Sequence, residues 1–204
     1  MNGDTLMAIL QRIKRAVSGF GKLFKMNTWE RGFDYDRRMK TRYALLLEMV
    51  PHLPFKKILD LGCGPQYLRE LISENEKYME LEYVGVDLHP HKNDTVICDF
   101  NKNQFPDIQA DAVFLAGIIE YIYDADWFIA EVSKHAGLYI IGTYNYADYR
   151  KRGSCLWVNA FSRSELEQKF EKNGFVLKEF KHFPDKSYLA STGFFLFEKK
   201  HREI

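Results

Sequence analysis

The chain has 204 residues, 46% of them hydrophobic, with 29 Lys and Arg against 28 Asp and Glu and a formal net charge of +1. That is one domain with room for a short extension, and enough apolar content for a full core, which excludes general disorder. Near-neutral charge argues against bulk capture of nucleic acid, and no run approaches the ~20 apolar residues of a membrane span. Cys63, Cys98 and Cys155 are far apart, odd in number and without a C-x-x-C pair. Such thiols suit a reducing, cytoplasmic setting rather than disulfides or a structural zinc. The first residues lack the apolar core and cleavage site of a secretory signal.

Residues 5–18 place Leu6, Ile9, Leu10, Ile13 and Val17 at helical spacing, and Gly19 and Gly21 end the pattern. Residues 1–25 are basic, leaving 24 basic and 27 acidic side chains for the rest. A second helix is predicted over 34–50, carrying Tyr43, Leu46, Leu47 and Val50 and stopping at Pro51, with Arg37, Arg38, Lys40 and Arg42 in its front half. Residues 1–54 read as a helical extension that serves as a lid or sheet cover. Membrane-surface contact through 5–18 is the lesser reading, because that helix is short and glycine-terminated.

From Phe55 onward strands and helices alternate, which implies a mostly parallel sheet over 55–204. The predicted strands are 57–61, 82–87, 94–99, 110–116, 137–143, 174–181 and 192–199. The predicted helices are 65–76, 123–134 and 162–173. Ser162 and Glu165 form a capping box, Phe161 and Leu166 a hydrophobic staple, and Gly174 a stop. The last two strands, joined around Pro184–Ser187, suit an antiparallel edge hairpin. Only Leu88 to Asn93 join strands two and three, where a parallel crossover usually takes a dozen residues or more. The expected architecture is α/β: a Rossmann-like, doubly wound, mostly parallel seven-stranded sheet whose helix between strands two and three is missing. The sheet face this exposes calls for cover by the N-terminal helix or by a second subunit in a homodimer.

The chemistry gathers at strand ends. Ile58-Leu59-Asp60-Leu61-Gly62-Cys63-Gly64-Pro65 is an apolar strand, an acid and a Gly-x-Gly turn opening a helix, the layout that lets backbone approach a nucleotide-like ligand. Tyr67 stands where a dinucleotide fingerprint has its third glycine, so the turn suits a ligand with an amine and no pyrophosphate. Cys63 sits inside the bend, where a small side chain is wanted, and reads as a packing thiol among the cofactor contacts. Asp87 follows Gly64 by 23 residues, close to the spacing at which an acid meets ribose hydroxyls. Asp99 and Phe100 bring a carboxylate and a ring together, which suits a purine amine and its face. Three acids on one rim favour a cationic ligand such as a sulfonium. A nicotinamide enzyme, the nearest rival, shares the turn and the second-strand acid but not Asp60.

Ile58–Pro65, Val84–Leu88, Val96–Phe100 and Ala110–Tyr121 resemble, in order, the motifs of class I S-adenosylmethionine-dependent methyltransferases, over about residues 55–200. The resemblance implies S-adenosylmethionine as cofactor, S-adenosylhomocysteine as product and no metal. It implies Asp60, Gly62 and Gly64 on the methionine part, Asp87 on the ribose and Leu88 against adenine. Asp99 and Phe100 would meet the adenine amine and ring, with Ala116 and Gly117 lining the sulfonium end. Many relatives read Leu-Glu-His where this chain has Ile119-Glu120-Tyr121, so inherited catalytic roles do not carry over.

The fifth strand and Tyr144-Asn145-Tyr146 look like small-molecule methyltransferases, which points to a small-molecule, glycan or lipid-precursor acceptor. Tyr144 and Asn145 are the candidate substrate contacts. Glu120, Tyr121, Tyr144 and His135 are the candidate bases for an acceptor that must lose a proton. His89 and His91, one residue apart without carboxylate support, make a poor metal pair. Two other readings stand beside this one: a cofactor-binding scaffold without turnover, and an RNA or protein methyltransferase.

Overall fold

The computed structural model describes residues 32–50, 54–78, 80–149, 156–184 and 189–200, and the expected helix over 5–18 lies outside them. From Lys40 onward the chain forms one compact unit. Helix α1 (Gly32–Glu48) buries Tyr43, Leu46 and Leu47, with Val50 just beyond its end. That is the i, i+3, i+4, i+7 stripe of a one-sided helix. Its end tightens through Met49 N–H to Leu46 C=O at 3.1 Å and Val50 N–H to Leu47 C=O at 3.1 Å, before Pro51.

Strands β1 (Lys57–Leu61), β2 (Glu82–Asp87), β3 (Val96–Ile97), β4 (Ala110–Ala116), β5 (Ala136–Asn145), β6 (Phe175–His182) and β7 (Thr192–Lys199) form one sheet in the order β3-β2-β1-β4-β5-β7-β6. All neighbours are parallel except β7, which runs antiparallel to both β5 and β6. Helices α2 (Tyr67–Ser73), α3 (Ala125–His135) and α4 (Arg163–Lys172) complete the frame. The capping box at α4 is formed, with Ser162 accepting from Glu165 N–H and Glu165 accepting from Ser162 N–H, and Gly174 turns the chain at φ 84°.

No helix joins β2 to β3. The third strand is shorter than 94–99, two residues at the sheet edge, because a link of this length leaves little chain to lie along β2. The link is tied down instead by α2: Gln66 Nε2 donates to Thr95 Oγ1 at 3.1 Å, and Arg69 pairs with Asp94. Nothing described covers this corner fully, since Leu88 is 47% and Ile97 55% exposed.

Side-by-side residues of parallel strands project to the same face. On one face Leu59, Leu61, Val113, Leu115 and Ile140 meet Phe128, Ile129 and Val132 of α3 and Leu166 and Phe170 of α4, forming the main core. The other face carries Asp60, Phe114, Ala116, Thr143 and Asn145, and receives the Lys40–Glu48 part of α1, through Tyr43, and α2. Lys40 of α1 bridges to Glu70 of α2 at 2.8 Å and lies 5.4 Å from the Tyr67 ring centroid. One face is therefore apolar throughout, and the other turns polar towards the carboxyl ends of its strands.

Candidate functional site

The strand order steps outward from β1 to β2 on one side and to β4 on the other, so the carboxyl ends of β1 and β4 flank a switch point where open α/β sheets bind ligands. The β1 turn is built for close approach. Gly62 and Gly64 take φ 72° and 50°, in the left-handed region that costs other residues about 1–2 kcal/mol. Gly62 and Cys63 N–H both donate to Val86 C=O, at 2.8 and 3.1 Å, which folds the turn towards β2. A side chain on Gly62 would meet Ile118 Cδ1 at 2.9 Å. Ile118 is thus an apolar wall against the bend, and Leu88, the residue after β2, is exposed.

Asp87, at the end of β2, sits at the centre. Its Oδ2 accepts from Gly64 N–H at 2.9 Å and its Oδ1 from His89 N–H at 3.1 Å. Each carboxylate oxygen can accept more than one hydrogen bond, so a fixed carboxylate with acceptor capacity in reserve faces the turn. That is the chemistry a vicinal diol needs.

Asp60 behaves otherwise. It is fully buried, with Tyr43 Oη donating at 3.1 Å to Oδ1 and Tyr83 Oη at 2.8 Å to Oδ2. Burial lifts its pKa from 3.8 to about 7, against the pull of the two phenols and helped by the Asp87 charge. Burial likewise pushes both tyrosines upward, so they remain donors. Asp60 reaches a methionine moiety only by releasing a phenol; as it stands it braces α1 to β1 and β2. Cys63 is 1% exposed and its thiol is pushed up by burial, in keeping with packing rather than nucleophilic chemistry.

The β4 end supplies Ala116 and Gly117. Gly117 takes φ 81°, and a Cβ there would lie 2.6 Å from Arg42 Nη1. Arg42 of α1 therefore holds its guanidinium over this glycine. Sequence reading counted it only as part of a basic stretch, because its place depends on how α1 docks.

Several expectations need correction. The Phe100 ring is turned into the core, 5.1 Å from Phe128 and 5.9 Å from Phe105, so it offers no stacking face. Asp99 caps the following turn through Asn101 N–H at 3.1 Å and pairs with Lys102 at 3.2 Å. Tyr144 is fully buried; its hydroxyl donates to Asn159 Oδ1 at 2.6 Å and accepts from Phe161 N–H at 2.9 Å. It pins the 156–161 segment and is closed to an acceptor. Asn145 is equally committed, donating to Glu120 Oε1 at 2.7 Å and accepting from Thr192 Oγ1 at 2.8 Å. His135 ends α3 beside Ala136, where β5 begins; ten strand residues at ~3.3 Å each put it ~30 Å from the site. Glu120 and Tyr121 do lie on the rim, in the short turn Ile119–Tyr121 after β4.

Among the described residues no group of three or more His, Cys, Asp or Glu side chains could hold a metal ion, and no helix is long and apolar enough to cross a membrane.

This architecture is the class I S-adenosylmethionine-dependent methyltransferase fold. Magnesium protoporphyrin IX methyltransferase from Synechocystis PCC 6803, with S-adenosylhomocysteine bound, superposes at a TM-score of 0.64 and 14% identity, covering 92% of this chain and 100% of that one. The Haloferax volcanii complex between a methyltransferase activator and the putative methyltransferase gives 0.63 and 15%, covering 83% and 94%. Burkholderia thailandensis 1,6-didemethyltoxoflavin-N1-methyltransferase, with 1,6-didemethyltoxoflavin and S-adenosylhomocysteine bound, gives 0.60 and 14%, covering 98% and 92%. No family model matches the chain, and no curated protein matches it in sequence. The likeness is one of fold, and the site must speak for the chemistry.

Proposed function

We propose that the protein is an S-adenosylmethionine-dependent methyltransferase acting on a small-molecule acceptor. The observation that carries this is Asp87, held by Gly64 and His89 N–H beside a glycine bend at the switch point. In this reading Asp87 accepts the ribose hydroxyls and Leu88 and Ile118 bracket the adenine. The backbone of Gly62, Ala116 and Gly117 lines the methionyl end, and the Arg42 guanidinium pairs with the methionyl carboxylate. The buried Asp60 carboxyl, held by Tyr43 and Tyr83, braces the floor beneath this end.

The cofactor arrives activated, so the protein's share is alignment and exclusion of water, worth ~7–11 kcal/mol of barrier. A small-molecule acceptor fits the near-neutral charge and the acceptors named for two of the solved enzymes of this fold, a magnesium protoporphyrin and a didemethyltoxoflavin. Thermal denaturation in S-adenosylhomocysteine tests the reading. At a hundred times its dissociation constant the ligand adds ~2.7 kcal/mol, which raises the midpoint by roughly 5–10 °C at this size. A shift with a nicotinamide dinucleotide and none with S-adenosylhomocysteine would reverse it.

A further inference from the structure

Beyond the cofactor contacts, the polar sheet face holds an unfinished set of groups. Glu120 is fully buried and only half satisfied. Its Oε1 accepts from the N–H of Asn145 at 2.9 Å and from Asn145 Nδ2 at 2.7 Å. Asn145 is fixed in turn, since Ser191 Oγ and Thr192 Oγ1 donate to its Oδ1 at 3.1 and 2.8 Å. The other oxygen, Glu120 Oε2, is buried with no partner, as are Thr143 Oγ1 and Arg42 Nε. Thr143 and Asn145 alternate along β5 and so share a face, and Thr143 Oγ1 lies 3.9 Å from where a Cβ on Gly117 would sit. The Thr143 hydroxyl thus borders the glycine that lines the sulfonium end in the proposed function, and the Glu120 carboxylate, fixed on Asn145 two residues along the same strand face, shares the field of the Arg42 guanidinium held over that glycine.

We propose that Glu120 is the acceptor's base: the methylated atom is a weakly acidic O–H or N–H, and its hydrogen faces Glu120 Oε2 beside Thr143. This rests on the cofactor reading above. In the step, the acceptor atom forms a bond to the methyl carbon as the S–CH3 bond breaks. The electron pair of that bond stays on sulfur, and the acceptor's proton passes to Glu120 Oε2. Burial raises the Glu120 pKa, which improves it as a base, while the Arg42 charge keeps the carboxylate accessible. The titratable groups facing it are Arg42 from α1 and Tyr146 beyond β5. Asn145 acts as a positioning residue, orienting the carboxylate without touching the acceptor.

The test compares two reactions in the 204-residue protein and in Glu120→Gln, whose amide oxygen can still accept from Asn145. One is transfer from S-adenosylmethionine to phenol, catechol and succinimide, which must lose a proton. The other is methylation of bound S-adenosylhomocysteine by methyl iodide, in which sulfur displaces iodide and no proton moves. The ratio of the first rate to the second is expected to fall roughly 10²–10⁴-fold in Glu120→Gln, with loss of the wild-type rise in rate with pH. Equal losses in both reactions would make Glu120 merely structural and overturn the inference. So would an unchanged ratio, or a wild-type protein that reacts with methyl iodide yet methylates none of the three acceptors. Failure of the wild-type protein to bind S-adenosylhomocysteine would instead remove the cofactor reading, and the inference with it.

Discussion

Replacing Asp60 by Asn should change how stability depends on pH, by an amount the structure sets. The carboxyl is fully buried between Tyr43 and Tyr83, and its pKa stands at about 7 against 3.8 for a free carboxyl. The folded state therefore holds a proton that the unfolded chain releases near pH 4. Because the folded state binds the extra proton, stability falls as pH rises between the two values. A difference of about 3 pH units at 1.36 kcal/mol each gives a total of about 4 kcal/mol, of which about 2–3 kcal/mol falls between pH 5 and 8. Asn cannot titrate but still accepts from a phenol through its amide oxygen. Asp60→Asn should thus approach or exceed wild-type stability at pH 8 and lose that advantage at pH 5. Urea denaturation of both proteins at pH 5, 6, 7 and 8 reads the gap directly. A gap constant over that range would refute the buried, proton-holding carboxyl.

Two further outcomes follow from contacts at the site's edges. Arg42→Met removes a charge-assisted partner worth about 1.5–3 kcal/mol, so S-adenosylhomocysteine should bind roughly 10–150-fold more weakly by calorimetry. Methylthioadenosine, which has no carboxylate, should bind both proteins alike; equal losses for the two ligands would contradict the pairing. Tyr144→Phe strands Asn159 Oδ1 and the N–H of Phe161, and should cost about 1–3 kcal/mol in urea denaturation while S-adenosylhomocysteine affinity holds. A large loss of affinity in this variant would place Tyr144 in the binding site after all.

Much of this fold is local enough to be read from the chain. Strands 57–61, 82–87, 110–116 and 192–199 match the observed limits because each is an apolar run closed by a polar or turn residue. Helix α4 was legible through Ser162, Glu165 and Gly174, all within its own segment. The third strand shrank because its length depends on the link before it and on a single neighbour. The glycine bend and Asp87 were legible for a similar reason: turn chemistry and spacing place them without knowledge of packing. The errors at Phe100, Tyr144 and Asn145 concern where a side chain points, which packing decides. Strand parity does separate Tyr144 from Thr143 and Asn145, and it is the signal that would have found Thr143. The direction of β5 would have removed His135. Arg42 and the Tyr43–Asp60–Tyr83 brace arise from the docking of a helix onto a distant sheet face, and no local pattern announces them.

The most direct measurement is a crystal structure of the protein grown with S-adenosylhomocysteine. The expected density has both ribose hydroxyls at roughly 2.6–3.2 Å from Asp87 and the methionyl carboxylate on Arg42, with the adenine between Leu88 and Ile118. Ligand bound elsewhere, or an Asp87 that keeps only its protein partners Gly64, His89 and His91 while the turn stays empty, would contradict the account.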